Sequence, residues 1–513
     1  MNANLKRLFA LFVWISLSFA VVACSGGGSN PPPPPPPPGK FSNASLSGQY
    51  AFSMTGSELC GGSGSMFARI GTFTADGSGN ITAGLEDINA CPGAGVLEFT
   101  GGKYAIGSDG RGTLQLTNST GTTNYNIALS TTSAGMIIQT DAGATASGNF
   151  QRQTSSAFTN SAITGGYVFD FNGVDVNGSS VNPASYVGRF DADGAGGVVN
   201  GLFDSNIGGT LSGQQLFPGG AFYGLDTTNS FGTKYGRGTA TIAGRTFAFY
   251  VVDATRLKFL STDVPSALVG DSFAQQNIAF NNTSLTGSFA FLIGGSVGGG
   301  PISTSGRFTA DGAGGLTVVA ADENNSGSVT QLPSGTVTGT YAVDSNAFGG
   351  GQLNWTDSNV GTFSFIFYLI SPTKAVFQEI DSNIVSDGNL SAQTTTPITA
   401  ASMAGDYVLG WSAVTADGEE DYVGQFTLNS SGNITAGLVD FNVFFSGQQF
   451  LAVPLSGSLL LNGDGTQFNT FTANLQSNST PFNFTAYVVD QNTVYVVGTD
   501  SNRVIAGSLV RQP

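Results

Sequence analysis

From about residue 43 onward, apolar and polar residues alternate in short runs, and clusters of Gly, Asn, Asp, Ser and Thr interrupt them. Strand side chains alternate faces with period two, so this pattern predicts half-buried strands joined by tight turns. In the first such stretch the runs fall near 48–55, 66–74, 80–88, 97–106, 112–118, 123–130, 135–141 and 146–153, with no convincing helix. Eight short strands joined by hairpins predict an antiparallel meander. Eight strands can close into a barrel that side chains fill or that holds one small ligand. A two-sheet β-sandwich is the alternative.

The pattern recurs. The chain opens a unit four times, as L-S-G-Q-Y at Leu46, I-T-G-G-Y at Ile163, L-T-G-S-F at Leu285 and M-A-G-D-Y at Met403. Each opening leads to a G-x-F-x-x-D/N turn motif starting at Gly71, Gly188, Gly306 and Gly424, spaced 117, 118 and 118 residues apart. A 17-residue stretch then recurs from Tyr125 to Asp141, Phe247 to Asp263, Phe365 to Asp381 and Phe484 to Asp500, and the units close at Gln153, Gln276, Gln393 and Gln512. These units are too long for solenoid repeats and large enough for private cores. The expected organisation is all-β, with four tandem eight-stranded meander barrels over 43–156, 157–280, 281–397 and 398–513. With its L-x-G-x-Y opening and eight-strand meander, each unit resembles in outline a lipocalin-like or avidin-like barrel. No unit carries the G-x-W opening of the lipocalins, and no biotin-site residue carries over.

The first residues have a different character. Lys6 and Arg7 precede the apolar run Leu8 to Ala23, the pattern of a signal peptide over 1–23. The run ends at Val21-Val22-Ala23-Cys24, which resembles the lipobox of bacterial lipoproteins. That resemblance implies cleavage before Cys24, lipidation of its sulfur, and an extracytoplasmic chain anchored by lipid to a bacterial membrane. Ser25 in place of aspartate points to the outer membrane or cell surface. Residues 24–42 then form a Gly-rich and eight-proline linker, a flexible piece followed by a polyproline II spacer.

Composition narrows function. Losing Lys6 and Arg7 with residues 1–23 takes the net charge from −16 to −18, so nucleic acid is excluded as a partner and the membrane is reached through the lipid. With Cys24 lipidated, Cys60 and Cys91 remain as a pair in an oxidising compartment and are expected to form a disulfide. There is no histidine, which removes Ser-His-Asp and Cys-His catalysis and His-ligated zinc.

The remaining chemistry is acidic. Asp76, Asp193 and Asp311 sit in glycine-rich loops, with Asp191 added in the second unit and Asn429 standing in the fourth. These are weak calcium candidates, because calcium takes six to eight oxygens and each loop offers at most two carboxylates. A turn cap is the expected role. A D-x-N pair recurs one strand later, at Asp87/Asn89, Asp204/Asn206, Asp322/Asn324 and Asp440/Asn442. Uninterrupted alternation puts Ile81, Ala83, Leu85, Asp87 and Asn89 on one face, the core side near a barrel mouth. There the pair would clamp loop backbone or form a ligand-facing rim, and the clamp is favoured. Asp141, Asp263, Asp381 and Asp500, each ending a strand, invite the same reading.

Glu86 beside Asp87 and Asp322 beside Glu323 point to opposite faces and make poor glycosidase pairs. Trp355 and Trp411 are expected in cores. The expectation is therefore a non-catalytic binding, adhesion or envelope-structural lipoprotein, without cofactor or metal, meeting a surface glycan or protein. A carbohydrate-active hydrolase using Asp/Glu pairs and a carrier of small hydrophobic ligands are the alternatives.

Overall fold

The computed structural model describes residues 41–513 apart from 92, 178–179, 346–347, 394–397, 462–467 and 476–480. Residues 1–40, where the signal peptide, Cys24 and most of the linker are expected, lie outside the described residues. Within them no helix is long and apolar enough to cross a membrane.

The first unit contains β1 (Ser47–Cys60), β2 (Ser63–Asp76), β3 (Asn80–Ala90), β4 (Gly93–Phe99), β5 (Gly101–Ile106), β6 (Arg111–Asn118), β7 (Gly121–Thr131), β8 (Ala134–Gln139) and β9 (Ala144–Arg152). All pair antiparallel. The order runs β1-β2-β3-β5-β6-β7-β8-β9 and returns from β9 to β1, while β4 pairs with the far half of β3. β4 and β5 are one strand interrupted at Thr100, so the wall has eight staves. The third sheet (Thr286 to Ala392) closes in the same way, and the fourth (Gly405 to Arg511) is a closed eight-stranded barrel. The second (Thr164 to Ala274) closes through the single bridge Gly197–Phe222. There Phe217-Pro218-Gly219-Gly220 interrupts the strand, and Pro218 has no N–H to offer a ladder. Each sheet curls onto itself, so the barrel rather than the sandwich describes the architecture.

Each barrel has a private interior. Tyr50, Phe52, Phe73 and Phe150 fill the first, and Phe291, Phe308, Trp355, Phe365 and Phe377 the third. The second is built on Phe169, Phe171, Phe190 and Phe249, and the fourth on Trp411, Tyr422, Phe426 and Phe484. Trp355 and Trp411 are each 1% exposed, as core residues are. A small hydrophobic passenger would have to displace these rings, each of whose burial stabilises the fold by roughly 2–3 kcal/mol.

A β-bulge corrects one expectation. Across β2 and β3 the register steps from Thr74–Ala83 to Ala75–Ile81, leaving Thr82 unpaired. The same step recurs at Asp191/Ala192, Thr309/Ala310 and Thr427/Leu428. An extra residue reverses the faces beyond it. Ile81 therefore points into the core while Leu85, Asp87 and Asn89 lie on the outer wall, not on the core side at a mouth.

The outer walls join the barrels. Ala51, Ile70 and Leu85 of the first pack against Tyr250, Leu260 and Val269 of the second. Val168 and Val187 meet Ile366, Tyr368 and Val376, and Ala290 and Leu292 meet Tyr487, Val489 and Tyr495. Finally Val408, Val423 and Val510 of the fourth pack on Ala128, Met136 and Ile138 of the first. Four contacts in cyclic order make a closed ring, so the barrels are not independent beads.

Candidate functional site at the clamps and the ring hub

The recurrent D-x-N pairs sit at these four contacts. Asn89 Nδ2 donates to Ser261 O (3.0 Å) and Ser266 O (2.9 Å), and Asn206 Nδ2 to Glu379 O (3.3 Å) and Ile384 O (2.7 Å). Asn324 Nδ2 meets Gly498 O, Asp500 O and Arg503 O at 2.9–3.0 Å, and Asn442 Nδ2 donates to Gln139 O and Ala144 O of the first barrel. Each asparagine clamps loop backbone, but on the next barrel around the ring.

The aspartates lie alongside. Asp204 and Asp322 accept from Tyr368 and Tyr487 Oη, both at 2.6 Å, and Gln214 N and Gln331 Nε2 also donate to them. Asp87 takes Tyr250 Oη at 2.8 Å plus a two-pronged pair from Arg237, Nε at 2.8 Å and Nη2 at 2.7 Å. At the closing contact Ala128 stands where the others have tyrosine, and Asp440 meets Arg111 at 3.4 Å instead. Burial, the leading cause, raises the carboxyls of Asp204, Asp322 and Asp440 above the usual range.

A glutamine at each unit's end makes a further clamp. Gln153, Gln393 and Gln512 donate to Val251 O, Val488 O and Leu129 O of the next barrel. In the second unit Gln275 does this, reaching Leu369 O at 2.7 Å, so the repeat ends one residue before Gln276. In the sequence these glutamines mark only where each unit ends, and nothing in their spacing points to this contact.

The other singled-out residues have local partners. Asp76 Oδ1 accepts from Ser78 N and Asn80 N, Asp193 Oδ1 from Ala195 N and Gly197 N, and Asp311 Oδ1 from Ala313 N and Gly315 N. Asn429 caps its loop identically. Asp191 pairs with Arg189. Among the described residues no cluster of three or more His, Cys, Asp or Glu could hold a metal ion. Since the loop carboxylates already serve turn amides, the melting temperature is expected to be the same in millimolar calcium as in EDTA. A calcium-dependent rise of several degrees in a thermal scan would reassign these loops to metal.

Asp141, Asp263, Asp381 and Asp500 each accept from the backbone N–H 17 residues earlier, at Asn124, Thr246, Ser364 and Asn483. Cys60 and Cys91 are joined in a disulfide, Cα atoms 5.9 Å apart. Glu86 points inward to Arg69 (3.2 Å) and Asn118, away from its neighbour Asp87.

Further buried charge lies between barrels. Lys258, wholly buried, donates to Ser53 Oγ and Asn149 Oδ1 of the first barrel, both at 2.9 Å, with Asp271 at 3.6 Å. Burial pulls its ammonium down to about 7. Asp170 of the second barrel faces Asp387 of the third, which accepts from Ser185 Oγ at 2.5 Å and Asn172 Nδ2 at 3.2 Å. Glu419 and Asp421 form a similar acidic pair against Thr145 of the first barrel. Burial holds both pairs well above the usual carboxylate range. A cavity of about 370 Å³ is lined by residues of the first, second and third barrels. The first and third are not neighbours in the cyclic order, so this cavity lies at the ring's hub.

Fold and contacts thus define a class: an all-β chain of barrel domains closed into a ring by repeated polar clamps. No family model and no curated protein matches the chain. Among solved structures it is similar to isotype 1 transferrin binding protein B from serogroup B Neisseria meningitidis, with 9% identity over 74% of this chain and 84% of that one, at a TM-score of 0.21. It is also similar to a double mutant of transferrin binding protein B from Haemophilus parasuis Hp5, with 10% identity, 74% and 83% coverage, and a TM-score of 0.18. Likeness at that level supports no statement about function.

Proposed function

We propose that this chain is a lipid-tethered, extracytoplasmic and non-catalytic scaffold, anchored through Cys24 to the outer membrane or cell surface of a bacterium and serving binding, adhesion or envelope structure. The observation that carries the reading is the use of its recurrent polar residues. The D-x-N pairs and terminal glutamines hold barrel to barrel, which favours a stiff ring over four separately acting modules. A stiff platform presents several surfaces at fixed spacing, and a multivalent glycan or protein partner gains affinity from that spacing.

The test has two arms. Cys24→Ala is expected to release the protein from membranes and abolish metabolic labelling with palmitate. The wild-type ring is expected to retain cells or a glycan or protein array and to leave a panel of polysaccharides intact. Hydrolysis of any glycan, lost on replacing a buried aspartate by asparagine, would replace this reading with the hydrolase. Unchanged membrane attachment of Cys24→Ala would remove the tether.

A further inference from the structure

The hub cavity departs from the fourfold repeat. The first residue after the hairpin turn is Ala134, Arg256, Lys374 and Thr493 in the four barrels, each paired in register with the residue three positions earlier. Those positions are structurally equivalent, yet two neighbouring barrels place a cation there, and both cations line the cavity. The chain carries only 17 Lys and Arg against 33 Asp and Glu, so three cations lining one cavity, Arg152 of the first barrel with Arg256 and Lys374, against the single acid Asp253 reverse that charge locally.

Most cations in the described structure already pair with a carboxylate, and Arg256 pairs with Asp271. Lys374 differs: among the described residues its ammonium has no ion-pair or hydrogen-bond partner. Asp253 lines the same cavity, but its Oδ1 accepts Thr255 N and Oγ1 at 2.7 and 2.6 Å. Asp490, the other acid facing Lys374, accepts Asn492 N and Thr493 N at 2.7 and 2.8 Å. Burial first, and then the Arg256 charge, pull the Lys374 ammonium down to about 8. A desolvated, unpaired cation is costly, and an anion supplied from outside would offset that cost.

Val252, Phe273, Ile370 and Leu390 give the cavity apolar walls, and neutral polar side chains such as Gln151 and Asn389 stand among them. The volume falls in the range of small-molecule sites, which combine apolar walls with a few placed polar groups.

We propose that the ring hub binds one small amphipathic organic anion, a carboxylate with an apolar body, its head on Lys374 beside Arg256 and its body against Phe273 and Ile370. The proposal does not rest on the scaffold reading, and it uses the space between barrels rather than their filled interiors.

The probe is sodium decanoate, titrated calorimetrically into the full-length protein at pH 7, with decanol as the uncharged body and acetate as the bodiless head. Decanoate is expected to bind once per chain, at least tenfold tighter than either. Lys374→Met should lose at least tenfold in decanoate affinity while melting no lower than wild type, since it removes an unpaired charge. Lys374→Arg should retain binding. Lys103→Met, at an exposed lysine outside the cavity, should change nothing. Decanoate binding that is absent, that has many sites per chain, or that survives Lys374→Met intact would overturn the proposal.

Discussion

Asp87→Ala is expected to weaken the ring by about 3–5 kcal/mol, the range for breaking a buried pair and leaving its partner uncompensated. Arg237 is only 8% exposed on its side chain, and Asp87 occupies two of its nitrogens while accepting Tyr250 Oη. Removing the carboxylate leaves the guanidinium with Asp226 alone. Asp440→Ala is the matched comparison, because Arg111 reaches Asp440 at 3.4 Å and keeps Asp109 at 2.8 Å. It should cost less, about 1–3 kcal/mol, because Arg111 keeps its nearer partner and the main loss is the acceptor of the Ala452 N–H, which meets Asp440 at 2.6 Å. The measurement is urea unfolding of the full chain, reading the first transition, since four cores need not melt together. The double change Arg237→Met with Asp87→Leu should recover most of the loss, because apolar replacement of a buried pair is often neutral. Equal costs for Asp87→Ala and Asp440→Ala would show that the clamp at the first contact is not a principal element of the ring.

The local rules of this fold stand openly in the sequence. Alternation, turn chemistry and the spacing of Gly71, Gly188, Gly306 and Gly424 suffice for four eight-stave meanders. The aspartate turn caps follow from residue type alone. What alternation cannot reveal is the bulge at Thr82, because one unpaired residue leaves the apolar rhythm intact on both sides while exchanging the faces.

That exchange turns Asp87 and Asn89 from mouth residues into interface residues. Their partners lie 150 or more positions away, on another unit, where no periodicity points. A signal did exist in the 17-residue stretch, where Tyr250, Tyr368 and Tyr487 recur as counterparts of the aspartates. The break in that series at Ala128 hid the closing contact, which Arg111 makes instead. The hub is least legible of all, since Arg256 and Lys374 matter by differing from their equivalents Ala134 and Thr493.

Between pH 5 and pH 7 the thermal midpoint is expected to fall. Desolvation raises the carboxyls of Asp204, Asp322 and Asp440, the facing pairs Asp170–Asp387 and Glu419–Asp421 are raised further, and Glu379 is pushed up to about 8 by burial in the third barrel. A carboxyl whose folded pKa exceeds its unfolded one holds its proton longer in the native state. Its stabilisation is therefore full below about pH 4 and is lost as pH rises through the folded value. For Glu379, moving from 4.5 to about 8 corresponds to up to about 5 kcal/mol. The lysines act in the other direction: Lys258, drawn from 10.5 to about 7, binds its proton more readily when unfolded, so its contribution grows with pH only above about 7. The carboxylates consequently govern the interval below neutrality. Turn-cap acids such as Asp76, held down at about 2 by the side-chain and backbone donors of its loop, lose their stabilisation only at lower pH. Glu379→Gln should flatten the profile and melt above wild type at pH 8, where the native glutamate is forced to ionise while buried. Scanning calorimetry across the interval decides the matter, and a midpoint that rises steadily from pH 5 to pH 7 would mean that these buried acids ionise in contact with water.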